Sequence, residues 1–131
     1  MRCYAIDTGA LELYFAGHTE MKRVYNEIKN KTAKGFTLET NLTELFYVTC
    51  RKLGKQVALI RDNSIRTSEI ELRTINKQIS RSAGRLKCKI PDISLADALL
   101  AGAAILSNAT VITTDENFEK IEEIDILLLS I

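Results

Sequence analysis

At 131 residues the chain is long enough to bury roughly two thirds of its unfolded surface as a single domain spanning 1–131, without disulfide or metal staples. Its 18 basic and 17 acidic residues leave a net charge of +1, so no bulk field announces nucleic acid, and such contacts must come from local clustering. The sequence contains no apolar run near the roughly 18 residues of a membrane span and no secretory leader; three scattered cysteines, Cys3, Cys50 and Cys88, read as small buried apolar side chains in a reducing, cytoplasmic compartment.

The first element, "RCYAI", is a short, mostly apolar strand, and "TGALELYFA" has helical spacing up to Gly17. His18, the only histidine, follows where it would complete that helix's C-terminus. One histidine and dispersed cysteines exclude the usual His/Cys zinc sites and His-based triads. A second helix carries Met21, Val24, Tyr25 and Ile28 at i, i+3, i+4 and i+7, with Gly35 as its C′ residue. "GFTLE" is a strand, and it leads into a helix with Leu42, Leu45, Phe46 and Leu53 on one face and Gly54 at its end. "KQVALIRDN" continues helically, "SEIELRTI" alternates as a strand, and "NKQISRSAGRLKC" is a basic helix. After Pro91 the run "ISLADALLAGAAILSN" is apolar on nearly every face and predicts a buried helix. "TVITT" is a strand, "ENFEKI" a helical turn or two, and "DILLLSI" a closing strand. Strands alternating with helices predict an α/β fold with a parallel sheet covered on both faces.

The tetrapeptide "DTGA" at 7–10 matches the active-site motif of retroviral-type aspartic proteases, yet that fold is all-β, and helix-spaced residues follow Gly9 here. In a parallel sheet, ligands bind outside the carboxyl ends of the strands. Asp7 ends the first strand and Asp115 ends "TVITTD"; each is either an N-cap or a site residue. Asp97 is the only charge between Ile93 and Leu106, and it forms a capping box with Ser94 as N-cap. The positive end of that helix would keep its carboxylate ionised and ready for a cation. Glu44 has apolar helical neighbours and no lysine at i+4, so it is either a partly buried acid or an edge residue; Glu39 reads as a strand-end residue.

If these four acids converge, like charges about 4 Å apart repel by roughly 4 kcal/mol per pair at an effective dielectric near 20. Such a cluster calls for a cation, and oxygen-only ligands select Mg²⁺ or Mn²⁺. That ion would activate water and steady a phosphodiester in an in-line displacement. A non-catalytic alternative, a phospho-acceptor signalling receiver, needs an acid pair after the first strand and a late lysine, and the sequence has neither.

"AIDTGALELYFAG", "TNLTELFYV" and "ISLADALLAGAAILSNATVITTDENFEKI" together resemble, in order, the motifs of the PIN-domain family, close to its VapC-type toxin ribonucleases. The resemblance implies a three-layer α/β/α fold with a central, mostly parallel sheet of four to five strands. It also implies an endoribonuclease that uses Mg²⁺ or Mn²⁺ held by Asp7, Glu44, Asp97 and Asp115. Thr113 takes the position of the family's hydroxyl residue two before the last acid, on the strand face of Asp115; Thr8 would lend its hydroxyl or backbone. Asn117 stands where many members carry a further acid. As implied partners the resemblance gives RNA, a small antitoxin and a second copy in a homodimer; a housekeeping RNA-processing nuclease without antitoxin is the alternative. Lys77, Arg81, Arg85 and Lys89 recur at i+4 along the basic helix, either as a phosphate track or as a solvated face; Lys22, Arg23 and Lys29 raise the same question. Tyr14, Phe15, Tyr25 and Phe46 fit core or protein-contact positions.

Overall fold

In the computed structural model, which describes residues 1–131, five strands form one sheet in the order β3-β2-β1-β4-β5, and all neighbouring pairs are parallel. The strands are β1 (Arg2–Ile6), β2 (Ala33–Leu38), β3 (Glu71–Arg73), β4 (Thr110–Thr113) and β5 (Asp125–Leu128). The helices are α1 (Thr8–Phe15), α2 (Thr19–Lys29), α3 (Glu39–Leu53), α4 (Lys55–Arg66), α5 (Lys77–Lys89) and α6 (Leu95–Ser107), with a 3₁₀ turn at Glu116–Lys120. This is the expected α/β/α arrangement, with the sheet wholly parallel.

Strand alternation divides the core into two. Ala5, Phe36, Leu38 and Val111 face a layer built by α5 and α6 (Ile79, Ala83, Leu86, Ala98, Leu100, Ala104). Tyr4, Ile6 and Ile112 face the other layer, made by α1, α2 and α3 (Leu11, Met21, Val24, Ile28, Leu42, Leu45). Helix α6 is buried on nearly every face because α5 closes its outer side, which the sequence run demanded. Between these two helices a Cβ on Gly102 would stand 2.9 Å from the backbone nitrogen of Ala83, so glycine sets their close approach.

Several local expectations change. His18 completes the end of α1 as expected, its backbone N–H donating to the Leu13 carbonyl at 2.9 Å after left-handed Gly17, and its side chain also caps the start of α2, Nδ1 accepting from the Met21 N–H at 3.4 Å. Helix α2 ends at Lys29, with left-handed Lys31 turning the chain, and Gly35 lies inside β2 beneath Ile28. The strand predicted over 68–75 shrinks to three residues, because the Ser68 hydroxyl, bonded to the Ile65 carbonyl and the Ile70 N–H, fixes a turn where the strand would begin. Leu53 is 54% exposed at the end of α3, and Cys88 is exposed on α5, whereas Cys3 and Cys50 are half-buried; all three cysteines are free. Glu39 belongs to α3 rather than to a strand end, and Arg66 grips both its oxygens at 2.8 and 2.9 Å. Tyr14, Phe15 and Tyr25 pack on the core as expected, with the Tyr14 ring 5.2 Å from Phe15 and 4.9 Å from Tyr25.

Candidate active site

Because every strand runs the same way, all carboxyl ends share one edge of the sheet, where α1 and α3 begin directly. A cleft of about 400 Å³ opens there, and Asp7, Glu12, Glu44, Asp92, Asp97 and Asp115 line it. All four acids singled out from the sequence therefore meet in one cleft. A larger hollow of about 630 Å³ beside Leu13, His18 and Arg23 has only Glu20 as an acid and gathers no comparable set.

Asp7, the residue after β1, is only 7% exposed. Its side chain does not cap α1; both oxygens are taken elsewhere. Thr113 Oγ1 donates to Asp7 Oδ2 at 2.7 Å, and Asn41 Nδ2 donates to Oδ1 at 3.4 Å. Thr113, fully buried at the end of β4, also accepts the Asp115 N–H at 2.9 Å. The Thr113 hydroxyl thus donates to the Asp7 carboxylate and accepts from the Asp115 backbone. Asp115 does cap the 3₁₀ turn, accepting the Asn117 N–H at 2.9 Å, while lining the cleft, so its two readings coexist. The Ser94–Asp97 cap is present as predicted, with Ser94 Oγ accepting the Asp97 N–H at 3.1 Å. On α3, Glu44 Oε1 lies 3.5 Å from Thr8 Oγ1.

Gly9 explains the protease-like motif. A Cβ at this position would lie 2.5 Å from Thr114 Oγ1, so the glycine lets the first turn of α1 press against the exit of β4. "DTG" here is a packing solution at a strand–helix junction.

Burial raises the Asp7 pKa, opposed by the Thr113 and Thr8 hydrogen bonds and reinforced by the charges of Asp115 and Glu12. Glu44 is raised in the same way, by burial first and then by the Asp7 charge. Asp97 is pushed up to about 7 by burial, the charge of Asp7 and a hydrogen bond shared with Asp115. The expectation that the α6 N-terminus would keep Asp97 ionised is therefore corrected: desolvation and neighbouring acids outweigh the dipole.

No lysine or arginine lines the cleft, and none of Asp7, Glu12, Glu44, Asp97 or Asp115 takes part in an ion pair. At the rim, Lys120 bonds Asp92 at 2.7 Å and holds its carboxyl below the usual range, and Lys87, bonded to the Pro91 and Ile93 carbonyls on either side, adds to the effect. This all-oxygen, cation-free set fits a hard divalent ion in donor chemistry. With the side chains as they stand, no three acids make a ready coordination shell.

Glu12, Asp92 and Asn41 escaped the sequence reading. Glu12 had a signal, since it stands at i+4 from Thr8 on the helix face that looks into the cleft. Asn117 lines the cleft, but as an amide it adds no charge. None of the basic residues of α5 lines the cleft. Lys77, Arg81 and Arg85 are exposed and unpaired, and Lys89 sits 3.7 Å from Glu123. A five-residue loop joins α5 to α6, so Arg85 and Lys89 lie at the end of the hairpin near Asp97, with Lys77 about 18 Å further along the helix. Lys22 and Lys29 are likewise exposed on α2, while Arg23 pairs with Glu27 at 2.6 Å.

Sheet order, helix layers and cleft define a three-layer α/β/α domain with an acidic centre at the carboxyl edge of a parallel sheet. Residues 4–124 match the PIN domain model, and the chain belongs to that family. No curated protein sequence matches it. Among solved structures, the fold is similar to VapBC2 from Rickettsia felis bound to a fragment of its promoter DNA, at 20% identity over 98% of this chain and 99% of that one, with a TM-score of 0.79. DNA-bound VapBC from Salmonella typhimurium superposes with a TM-score of 0.81, at 18% identity, covering 97% and 98% of the two chains. VapC20 from Mycobacterium tuberculosis, a toxin that cleaves the sarcin-ricin loop, gives 0.73 at 16% identity over 91% and 95%. No helix is long and apolar enough to cross a membrane.

Proposed function

We propose that the protein is a divalent-metal-dependent endoribonuclease and the toxin of a toxin–antitoxin pair. One observation carries the reading: six acids line the cleft, and only Asp92 at its rim is paired with a cation of the chain. Such a cleft repels RNA unless a positive ion occupies it. Asp7, Glu44, Asp97 and Asp115 would hold Mg²⁺ or Mn²⁺, which when bound supplies a more acidic water and charge neutralisation at the phosphodiester. Thr113 fixes Asp7, and Ser94 fixes the turn carrying Asp97. One of the acids would orient water for in-line attack on phosphorus, with the ribose oxygen leaving.

Arg85 and Lys89, at the cleft end of α5, are the favoured phosphate contacts, and Lys77, at the far end, the least favoured. The toxin assignment is supported by the fold shared with VapBC complexes from two bacteria. A small antitoxin protein is the partner this predicts, along with a cytoplasmic homodimer. A housekeeping nuclease would share the chemistry and lack the antitoxin, so a small protein that co-purifies and silences cleavage separates the two.

The test is cleavage of a mixed RNA pool with Mn²⁺ and with EDTA, using Asp97→Asn beside the parent. Cleavage should need the metal and vanish in the variant while the fold survives. Equal cleavage in EDTA, or full activity in Asp97→Asn, would refute the mechanism.

A further inference from the structure

We infer that Asn41 is a positioning residue that locks Asp7 and Glu44 into one unit; this rests on the nuclease reading for its purpose and on hydrogen-bond geometry for its existence. Asn41 is fully buried at the first turn of α3, where a buried amide needs every group satisfied. Its Oδ1 accepts the Leu38 N–H at 3.4 Å, and its Nδ2 donates to Asp7 Oδ1 at 3.4 Å and Thr8 Oγ1 at 3.1 Å. The amide cannot be turned over: the Leu38 N–H needs an acceptor, and the Asp7 carboxylate needs a donor.

The direction of this chain decides the rest. Because Asn41 donates to the Thr8 oxygen, the single Thr8 hydroxyl proton must point away from Asn41 Nδ2. Two acceptors are open to it, the Asn41 carbonyl at 3.4 Å and Glu44 Oε1 at 3.5 Å. An ionised Glu44 is the stronger acceptor and takes it. Donors therefore run from Asn41 to Asp7 on one side and through Thr8 to Glu44 on the other. Two acids 37 positions apart are set from one rigid amide, itself fixed to the start of α3 by the Leu38 N–H.

Helix capping alone would also explain an amide at the third helical position, since the side chain serves the N-cap N–H. The two Nδ2 bonds separate the readings, as capping uses only Oδ1. Leu38, at the N-cap, has no side-chain acceptor, so the box is one-sided.

The test uses the full chain with Asn41→Ala, Thr8→Val and the double variant. Mn²⁺ binding is followed by electron paramagnetic resonance, cleavage as kcat and KM separately, and fold by thermal melting. Asn41→Ala should weaken Mn²⁺ binding about tenfold or more and lower kcat with KM for RNA unchanged. Thr8→Val should lose less, because it cuts only the Glu44 branch, and the double variant should lose less than the sum of the two, because the amide reaches Glu44 through the threonine. In the metal-free parent, the two Asn41 side-chain amide protons should be distinct and exchange-protected, one shifting in Asp7→Asn and the other in Thr8→Val. A lower melting temperature with parental Mn²⁺ affinity leaves Asn41 only a cap and overturns the inference. If the parent neither binds Mn²⁺ nor cuts RNA, the nuclease reading fails, and the amide-proton signals still decide whether the clamp exists.

Discussion

Replacing Asp97 by asparagine should make the metal-free protein more stable, although it removes a residue proposed for catalysis. Asp97 rises from an ordinary 3.8 to about 7 on folding, through burial, the Asp7 charge and the bond to Asp115. A carboxyl raised in this way holds its proton more tightly folded than unfolded. Its favourable contribution is complete below about 3.8 and is lost as pH climbs to about 7. The difference corresponds to about 4 kcal/mol, and solvent reaching the half-buried carboxyl reduces this to about 2. For a domain of this size that is roughly 8 °C in melting temperature. Melts by circular dichroism in EDTA at pH 8 and pH 4 should therefore show Asp97→Asn above the parent at pH 8 and nearly level with it at pH 4. Saturating Mn²⁺ should raise the parent more than the variant, since the ion binds only the folded state. A variant that melts at or below the parent at pH 8 in chelator would show that Asp97 is not held against other acids, and the converging cluster would be lost.

Thr113→Val removes a buried hydroxyl that donates to Asp7 at 2.7 Å, and should cost about 1–3 kcal/mol in urea denaturation together with most of the cleavage activity. Gly102→Val puts a branched side chain where even a Cβ meets the Ala83 backbone, and should lower stability by about 2–3 kcal/mol, read from the denaturation midpoint. Arg85→Gln should weaken RNA binding and flatten its dependence on salt, while Lys77→Gln leaves both near parental values in a filter-binding titration. Glu39→Gln breaks an exposed ion pair outside the cleft and should change stability by less than about 1 kcal/mol, with RNA cleavage unchanged.

What could be read along the chain was local periodicity and the ends of elements. Asp7 and Asp115 were identifiable because each follows a short apolar strand, and Asp97 because it is the one charge in an apolar helix. Asn41 was invisible for the opposite reason. "TNLTE" reads as an ordinary polar helix start, and its meaning comes from Asp7 and Thr8, more than thirty residues earlier. Gly35 misled because it fits a helix end by residue type, and the second role of His18, its side-chain cap on α2, carried no signal. Tertiary contacts decide both, with Ser130 O only 2.7 Å from His18 Nε2 and Ile28 lying over Gly35. The expected ionisation of Asp97 met the same limit: the helix dipole is local, whereas the burial and the acids that raise this carboxyl come from the rest of the fold.

The central place of β1, between β2 and β4, gives the fold a built-in order of completion. Asp7 precedes every other acid of the cleft, yet the hydroxyl that steadies it comes 106 positions later, close to Asp115. A growing polypeptide therefore carries most of its acids long before any of them share a pocket. Clipping the tail ahead of β4 would return it to that unassembled condition. Under the proposed function, any RNA cleavage would wait until β4 and Asp115 have been made.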